Sequence, residues 1–316
     1  MALIIRNLRL SPEEDEALLH AKAAAAANLR EEDIKSLRVV KRSLDARKRA
    51  DVHFLYAVRI EVDDEDAVLR RANAGIEREE ARQKREIRPG NRALAEQPVV
   101  VGSGPCGMFA ALTLARAGYA PLVIERGAPV ERRKADVDAF FQTGELDENS
   151  NVLFGEGGAG TFSDGKLTTR IKDPRCQDVL EDLVRFGAEA SAAYDAKPHI
   201  GTDVLRKVVA AIRKEVIALG GAYRFHETVT GIEAQNGALA AVLTSRERIP
   251  ASACILATGH SARDVYGFLH RMGIPLSGKP FADARMTGVP AQLGGVDHVP
   301  GVLDAHADRE GLSGKG

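Results

Sequence analysis

Six residues limit this chain's fold more than any other feature: Gly102-Ser103-Gly104-Pro105-Cys106-Gly107. Before them, Pro98-Val99-Val100-Val101 reads as a short buried strand. After them, Met108 to Ala117 reads as a helix stopped by Gly118. The apolar strand Pro121–Ile124 follows and ends in Glu125, 23 residues after Gly102. A lone Gly-x-Gly-x-x-Gly is weak evidence, but a strand-to-helix turn with an acid at the tip of the next strand makes a nucleotide-type βαβ unit. Gly102 permits the tight turn, Gly104 lets a pyrophosphate approach the backbone, and Gly107 lets the helix pack close to the strand. The helix N-terminus turns free N–H groups and a positive dipole end toward the phosphates. Glu125 is expected to accept hydrogen bonds from ribose hydroxyls. A carboxylate there would repel a 2′-phosphate, which argues against NADP at this turn.

A second dense glycine segment runs from Phe154 to Lys166 and contains Gly155, Gly157, Gly158, Gly160 and Gly165. It follows a stretch from Gly127 that shows no clear periodicity and is expected to be a long loop. Gly157, Gly158 and Thr161 would offer backbone N–H groups and a small hydroxyl to a ligand, and Lys166 a positive charge near an electron-rich ring. Further on, helices are expected from Asp173-Pro174 to Phe186 and from a Thr202 cap to Leu219. Short strands follow at Tyr223–Phe225, Val229–Gln235 and Leu239–Thr244, with a hairpin turn at Asn236-Gly237. A last apolar strand, Ala253–Ala257, runs into Thr258-Gly259.

Residues 1–90 read as a separate small α+β domain with an antiparallel sheet. Leu3–Leu10 suits a strand. Ser11-Pro12-Glu13-Glu14 signals a helix start, with the helix running to about Ala27. Val52, Phe54, Tyr56, Val58, Ile60 and Val62 alternate as a strand with one buried face. Asp63 to Asp66 suits another helix start. The basic run Lys41–Arg49 reads as a solvated loop, because it is short and lacks interleaved aromatics. The charged stretch Glu77–Arg88 and Pro89-Gly90 read as a linker.

Composition removes several classes. Lys plus Arg total 44 and Asp plus Glu 45, a net charge of −1 that exerts no overall pull on nucleic acid or anionic membrane. No apolar run approaches the length of a membrane span, and none resembles a signal peptide. The three cysteines, Cys106, Cys176 and Cys254, have neither disulfide-framework nor zinc spacing. Cys106 opens a helix, where a thiolate would be stabilised, yet lacks a motif partner and reads as a small residue against the cofactor or sheet. His199 and His260 read as satisfying local backbone groups, and His226 sits at a strand end with no sign of a catalytic role. These points place the chain in the cytoplasm.

From about residue 97 to 280 the chain resembles the bacterial uncharacterised FAD-dependent dehydrogenase family, of the glutathione-reductase-like flavoproteins. The matching segments are Val101–Gly107, Gly155–Leu167, Lys197–Asp203 and Thr258–Asp264, together with Arg42–Arg47 in the N-terminal module. The resemblance implies an α/β fold: a Rossmann-like FAD-binding domain, parallel sheet plus β-meander, preceded by the small α+β domain. It implies FAD as cofactor, held by Gly102, Ser103, Gly104, Pro105, Cys106, Gly107, Glu125, Arg126, Gly157, Gly158, Thr161, Lys166, Thr258 and Gly259. It implies an oxidoreductase passing a hydride or electrons through flavin, to or from a small-molecule substrate or electron donor of the NAD(P)H kind. The incomplete flavin domain would occupy residues 91–282. Residues 283–316 lack periodicity and the family's later Gly-Asp motif, so they read as an atypical, disordered tail of a truncated or frame-shifted chain. Two other readings remain open: an NAD-binding dehydrogenase, and an inactive or RNA-associated protein that keeps a nucleotide-binding fold.

Overall fold

The computed structural model describes residues 2–71, 75–80, 93–163, 165–167, 169, 171 and 173–277. The first module comprises β1 (Leu3–Leu10), α1 (Leu18–Ala27), β2 (Ser36–Asp45), β3 (His53–Glu61), α2 (Glu65–Arg71) and β4 (Ile76–Arg78). Its strands pair antiparallel in the order β2-β3-β1-β4. α1 buries Leu19, Ala23, Ala24 and Ala27 in a core shared with Leu3, Ile5, Tyr56, Val58 and Ile60. Alanine there lets the helix lie close to the sheet.

Three expectations for this module need correction. α1 begins at Leu18 rather than near Ser11. The Ser11 N–H does donate to Glu14 Oε2 at 2.7 Å, but this closes a turn ahead of the helix. Lys41–Asp45 belongs to β2 and is not loop. The first residues of the charged stretch pair with β1 as β4, while residues 81–92 lie outside the described set.

The second module opens with β5 (Val99–Val101), α3 (Pro105–Arg116) and β6 (Leu122–Ile124). α4 (Val130–Thr143) follows, in the stretch expected to be loop. A 3-10 turn at Ala159–Phe162 precedes α5 (Arg175–Arg185), and another at Ala190–Ala193 precedes α6 (Thr202–Ala218). Gly201, not Thr202, is the α6 N-cap. Then come β7 (Ala222–Arg224), β8 (Val229–Gln235), β9 (Ala238–Thr244), β10 (Arg248–Pro250) and β11 (Cys254–Leu256). Asn236 and Gly237 take φ of 52° and 75°, the left-handed pair that a two-residue hairpin requires.

β8, β9 and β10 form an antiparallel meander, with β10 an addition to the sequence reading. β11, β5, β6 and β7 form a parallel sheet in that order. The protein is thus a mixed α/β chain with a parallel sheet. α3 and α6 pack together, burying Met108, Ala111, Leu112 and Ala115 with Leu205, Val208, Val209, Ile212 and Val216. α7 (Arg263–Arg271) falls in a separate unit beginning at Arg263. The tail expected at residues 283–316 lies outside the described residues.

Candidate functional site

The parallel sheet has a switch point at β5. The chain leaves β5 for β6 on one side and later returns as β11 on the other. In open parallel sheets, ligands settle beyond the carboxyl ends of strands at such a point. The Gly102–Gly107 turn and Thr258-Gly259 come together here. A Cβ on Gly102 would lie 2.5 Å from the Ala257 carbonyl oxygen and 3.4 Å from Thr258 Cα. A Cβ on Gly107 would overlap the Gly102 carbonyl oxygen and lie 3.3 Å from Ala257 Cβ. Packing of α3 and β11 on the turn therefore accounts for both glycines. Gly104 differs. Its backbone is extended (φ −67°, ψ −178°), and a Cβ there would meet only Gly158 Cα at 3.8 Å, an ordinary contact. No side chain caps α3 and no acid lies in its first turn. Pro105 and Cys106 are exposed at its mouth.

The second glycine segment lies across this turn. The Gly157 N–H donates to the Ser103 carbonyl at 2.8 Å. Arg133 of α4 fixes the segment from beneath. It is fully buried, and its guanidinium donates to four carbonyls: Asn151 at 3.0 Å, Val152 at 2.8 Å, Glu156 at 2.9 Å and Gly158 at 2.6 Å. Phe162 stacks 4.8 Å from its charge. Burial lowers the Arg133 pKa to about 10, so the cation persists at neutral pH. Thr161 is buried and its hydroxyl has no hydrogen-bond partner.

Glu125 has a task other than the one its motif position suggests. The carboxylate is buried. Oε2 accepts from the Ser103 N–H at 2.8 Å and the Ser103 hydroxyl at 2.9 Å. Oε1 accepts from the N–H groups of Gly127 at 3.0 Å and Gly155 at 3.1 Å. Four donors fill its lone pairs. A ribose hydroxyl reaches it only by displacing one of them.

The remaining expected residues are spread around this centre. The Arg126 guanidinium lies 4.5 Å from the centre of the Phe154 ring. Lys166 is exposed and bridges in β fashion to His199, with the Leu167 N–H on the Pro198 carbonyl and the Ile200 N–H on Gly165, each at 2.9 Å. Thr258 is half-buried and Gly259 exposed. His226 and His260 are outside this grouping. The three cysteines are free, and burial pushes the Cys254 thiol up to about 11. Among the described residues no group of three or more His, Cys, Asp or Glu could hold a metal ion. No described helix is long and apolar enough to cross a membrane.

Sequence reading missed Arg133, and with it the buried group under the glycine segment. Glu156 accepts from the Val130 N–H at 2.8 Å through Oε2. Its Oε1 faces Arg213 Nε at 3.2 Å without hydrogen-bond geometry. Burial outweighs these neighbours and raises Glu156 to about 7. The Tyr223 hydroxyl is buried without a partner and is pushed above its ordinary range by the same desolvation. The only sequence signal was that α4 carries six charged residues in its first nine, which hides the few inward positions.

A family model described as a domain of unknown function, DUF8436, matches residues 2–61. An uncharacterised protein of Clostridium beijerinckii is 44% identical over 283 residues, covering 89% of this chain and 53% of that protein. This chain thus spans about half the length of that relative. Among solved structures, Thermovibrio ammonificans THI4 aligns at 16% identity and TM-score 0.37, over 57% of this chain and 64% of that one. Lactococcus lactis thioredoxin reductase aligns at 18% and 0.30, over 52% and 35%. An L-amino acid deaminase of Proteus myxofaciens aligns at 15% and 0.31, over 60% and 51%. Likenesses this distant carry no chemistry across.

Proposed function

We propose that the switch-point turn binds the pyrophosphate of FAD, and that the chain is the flavin-binding part of an FAD-dependent oxidoreductase. The observation that carries this reading is Gly104. Packing explains Gly102 and Gly107, whereas among the described residues nothing needs position 104 bare. A phosphate lying on the backbone does, and the uncapped N-terminus of α3 supplies its donors. Gly157, Gly158 and Thr161 border the same turn, and Thr161 brings a hydroxyl that lacks a partner. On this reading Ser103, Pro105, Cys106 and Gly107 line the phosphate. Arg126, Lys166, Thr258 and Gly259 belong to the flanks.

When bound, the flavin supplies hydride or electron transfer, and the protein orients it and shields it from water. The reaction partner is a small molecule or an electron donor of the NAD(P)H class. Three unpaired cysteines suit a reducing compartment such as the cytoplasm. Because Glu125 is occupied by Ser103, Gly127 and Gly155, selection rests on the phosphates more than on the ribose.

FAD titration of the wild type and Gly104→Ala tests the proposal. The wild type should take up FAD with quenching or a structured flavin spectrum. Gly104→Ala should melt at the wild-type temperature in the absence of flavin, because its Cβ has room. Its affinity should fall by about tenfold or more, the equivalent of about 1.4 kcal/mol. Wild-type protein that takes up no added FAD overturns the reading. Protection from heat by NAD and not by FAD assigns the turn to a nicotinamide dinucleotide instead.

A further inference from the structure

β2 is an edge strand of the N-terminal sheet, and an open edge is a row of unpaired backbone groups. At Arg42 this edge is covered by the second module. The Arg42 N–H donates to the Tyr194 carbonyl and the Ala196 N–H to the Arg42 carbonyl, each at 2.9 Å, a parallel bridge centred on Arg42 and Asp195. The side chains repeat the pairing. Arg42 Nε meets Asp195 Oδ1 at 2.7 Å and Nη2 meets Oδ2 at 2.8 Å, a fork-to-fork pair. Glu16 takes a third guanidinium N–H at 2.9 Å, and the cation lies 5.6 Å from the Tyr194 ring centre. Both partners of the fork are largely shielded, with side-chain exposures of 28% and 23%.

Three residues past this pair, the same strand of chain does a second job. Pro198 and Ile200 hold Gly165 and Leu167 through the two backbone bonds described above, and α6 begins at Thr202. One face of α6 then meets the 3-10 turn that contains Thr161. Residues 194–200 therefore link the edge of the N-terminal sheet to the far leg of the second glycine segment. Between α5 and α6 the only regular element is one 3-10 turn, so fixation of this link comes from what it touches.

We propose that Arg42 is a positioning residue for the candidate flavin site: by clasping Asp195, the N-terminal module sets the placement of Gly165–Leu167 and thereby the affinity for the cofactor. This rests on the FAD reading above, but the mechanical half does not. Hydrogen exchange without flavin tests that half, on Arg42→Ala, Asp195→Ala, the double variant and the charge swap Arg42→Asp with Asp195→Arg. Arg59→Ala is the control. It removes ion pairs to Glu61 and Glu79, both within the N-terminal module.

Exchange should accelerate at 194–196 and also at 165–167 in both single variants, but not in the control. FAD affinity should fall at least about fivefold in each single variant and no further in the double variant, as for two halves of one contact. The swap should recover part of it. Arg59→Ala should lower the melting temperature and leave affinity within about twofold. Faster exchange at 194–196 with residues 165–167 and FAD affinity unchanged overturns the proposal. If the wild type binds no FAD, the exchange at 165–167 alone decides: acceleration supports the mechanical link while the flavin reading fails, and no acceleration overturns the link as well. Asp195→Ala removes nothing from the N-terminal sheet, so it keeps the comparison decisive should Arg42→Ala not fold.

Discussion

A carboxylate accepts about four hydrogen bonds, and Glu125 has four donors from three residues. This one side chain ties the end of β6 to both glycine segments. Glu125→Gln leaves one acceptor oxygen and turns an NH2 toward donors. Flavin-free protein carrying it should lose about 2–4 kcal/mol in urea unfolding, since buried donors are stranded. A fold-neutral Glu125→Gln would return the residue to a ligand role. Glu156 makes a prediction about pH. Its pKa is about 7 in the folded protein against 4.5 for the free group. Between those values the folded state keeps a proton that the unfolded state has released. The stabilisation is therefore complete below about pH 4.5 and is lost as pH rises through about 7. Glu156→Gln has no proton to lose. The stability of wild type minus variant should fall by roughly 3 kcal/mol from pH 4.5 to pH 8, as measured by denaturant titration at each pH. A flat difference would show Arg213 compensating the charge in full.

Elements were legible where alternation or helical period ran unbroken. β3 keeps Phe54, Tyr56, Val58 and Ile60 in one phase, and the reading found it. β2 is one residue longer but changes phase. A bulge lies between Val39 and Lys41, so Leu37 and Val39 pair with Ile60 and Val58, whereas Arg42 and Leu44 pair with Tyr56 and Phe54. Odd positions become even, and the period disappears from the sequence. α4 was lost for a different reason. One of its three buried positions is Arg133, so the inward face has no apolar stripe. The partners of that residue are carbonyls contributed from 18 to 25 positions downstream, which local pattern does not reveal. Arg133→Met should cost about 3–5 kcal/mol in urea unfolding, because four carbonyls lose their donor in a buried site. An effect below about 1 kcal/mol would mean that water replaces the guanidinium.

At the scale of the molecule the described residues form two largely aliphatic cores. One is built on β1, β3 and α1, the other on the parallel sheet with α3 and α6. Among the described residues the first draws on none beyond Ile76. Residues 1–80 expressed alone should therefore unfold cooperatively, with low stability as expected for so short a domain. A non-cooperative thermal transition by circular dichroism would mean that the clasp at Arg42 is needed for folding. The βαβ unit was legible, since it rests on local pattern. The join at Arg42 was not, because its partner is 153 positions away and carries no motif.

Arg133 also bears on how this site can be transplanted. The glycine segment offers few side chains of its own, and its shape is held by a cation that arrives from α4. A graft of residues 151–162 onto another nucleotide-binding frame would arrive without its scaffold. The smallest portable cassette runs from the start of α4 at Val130 to Phe162, with both the helix that supplies the charge and the ring that stacks on it.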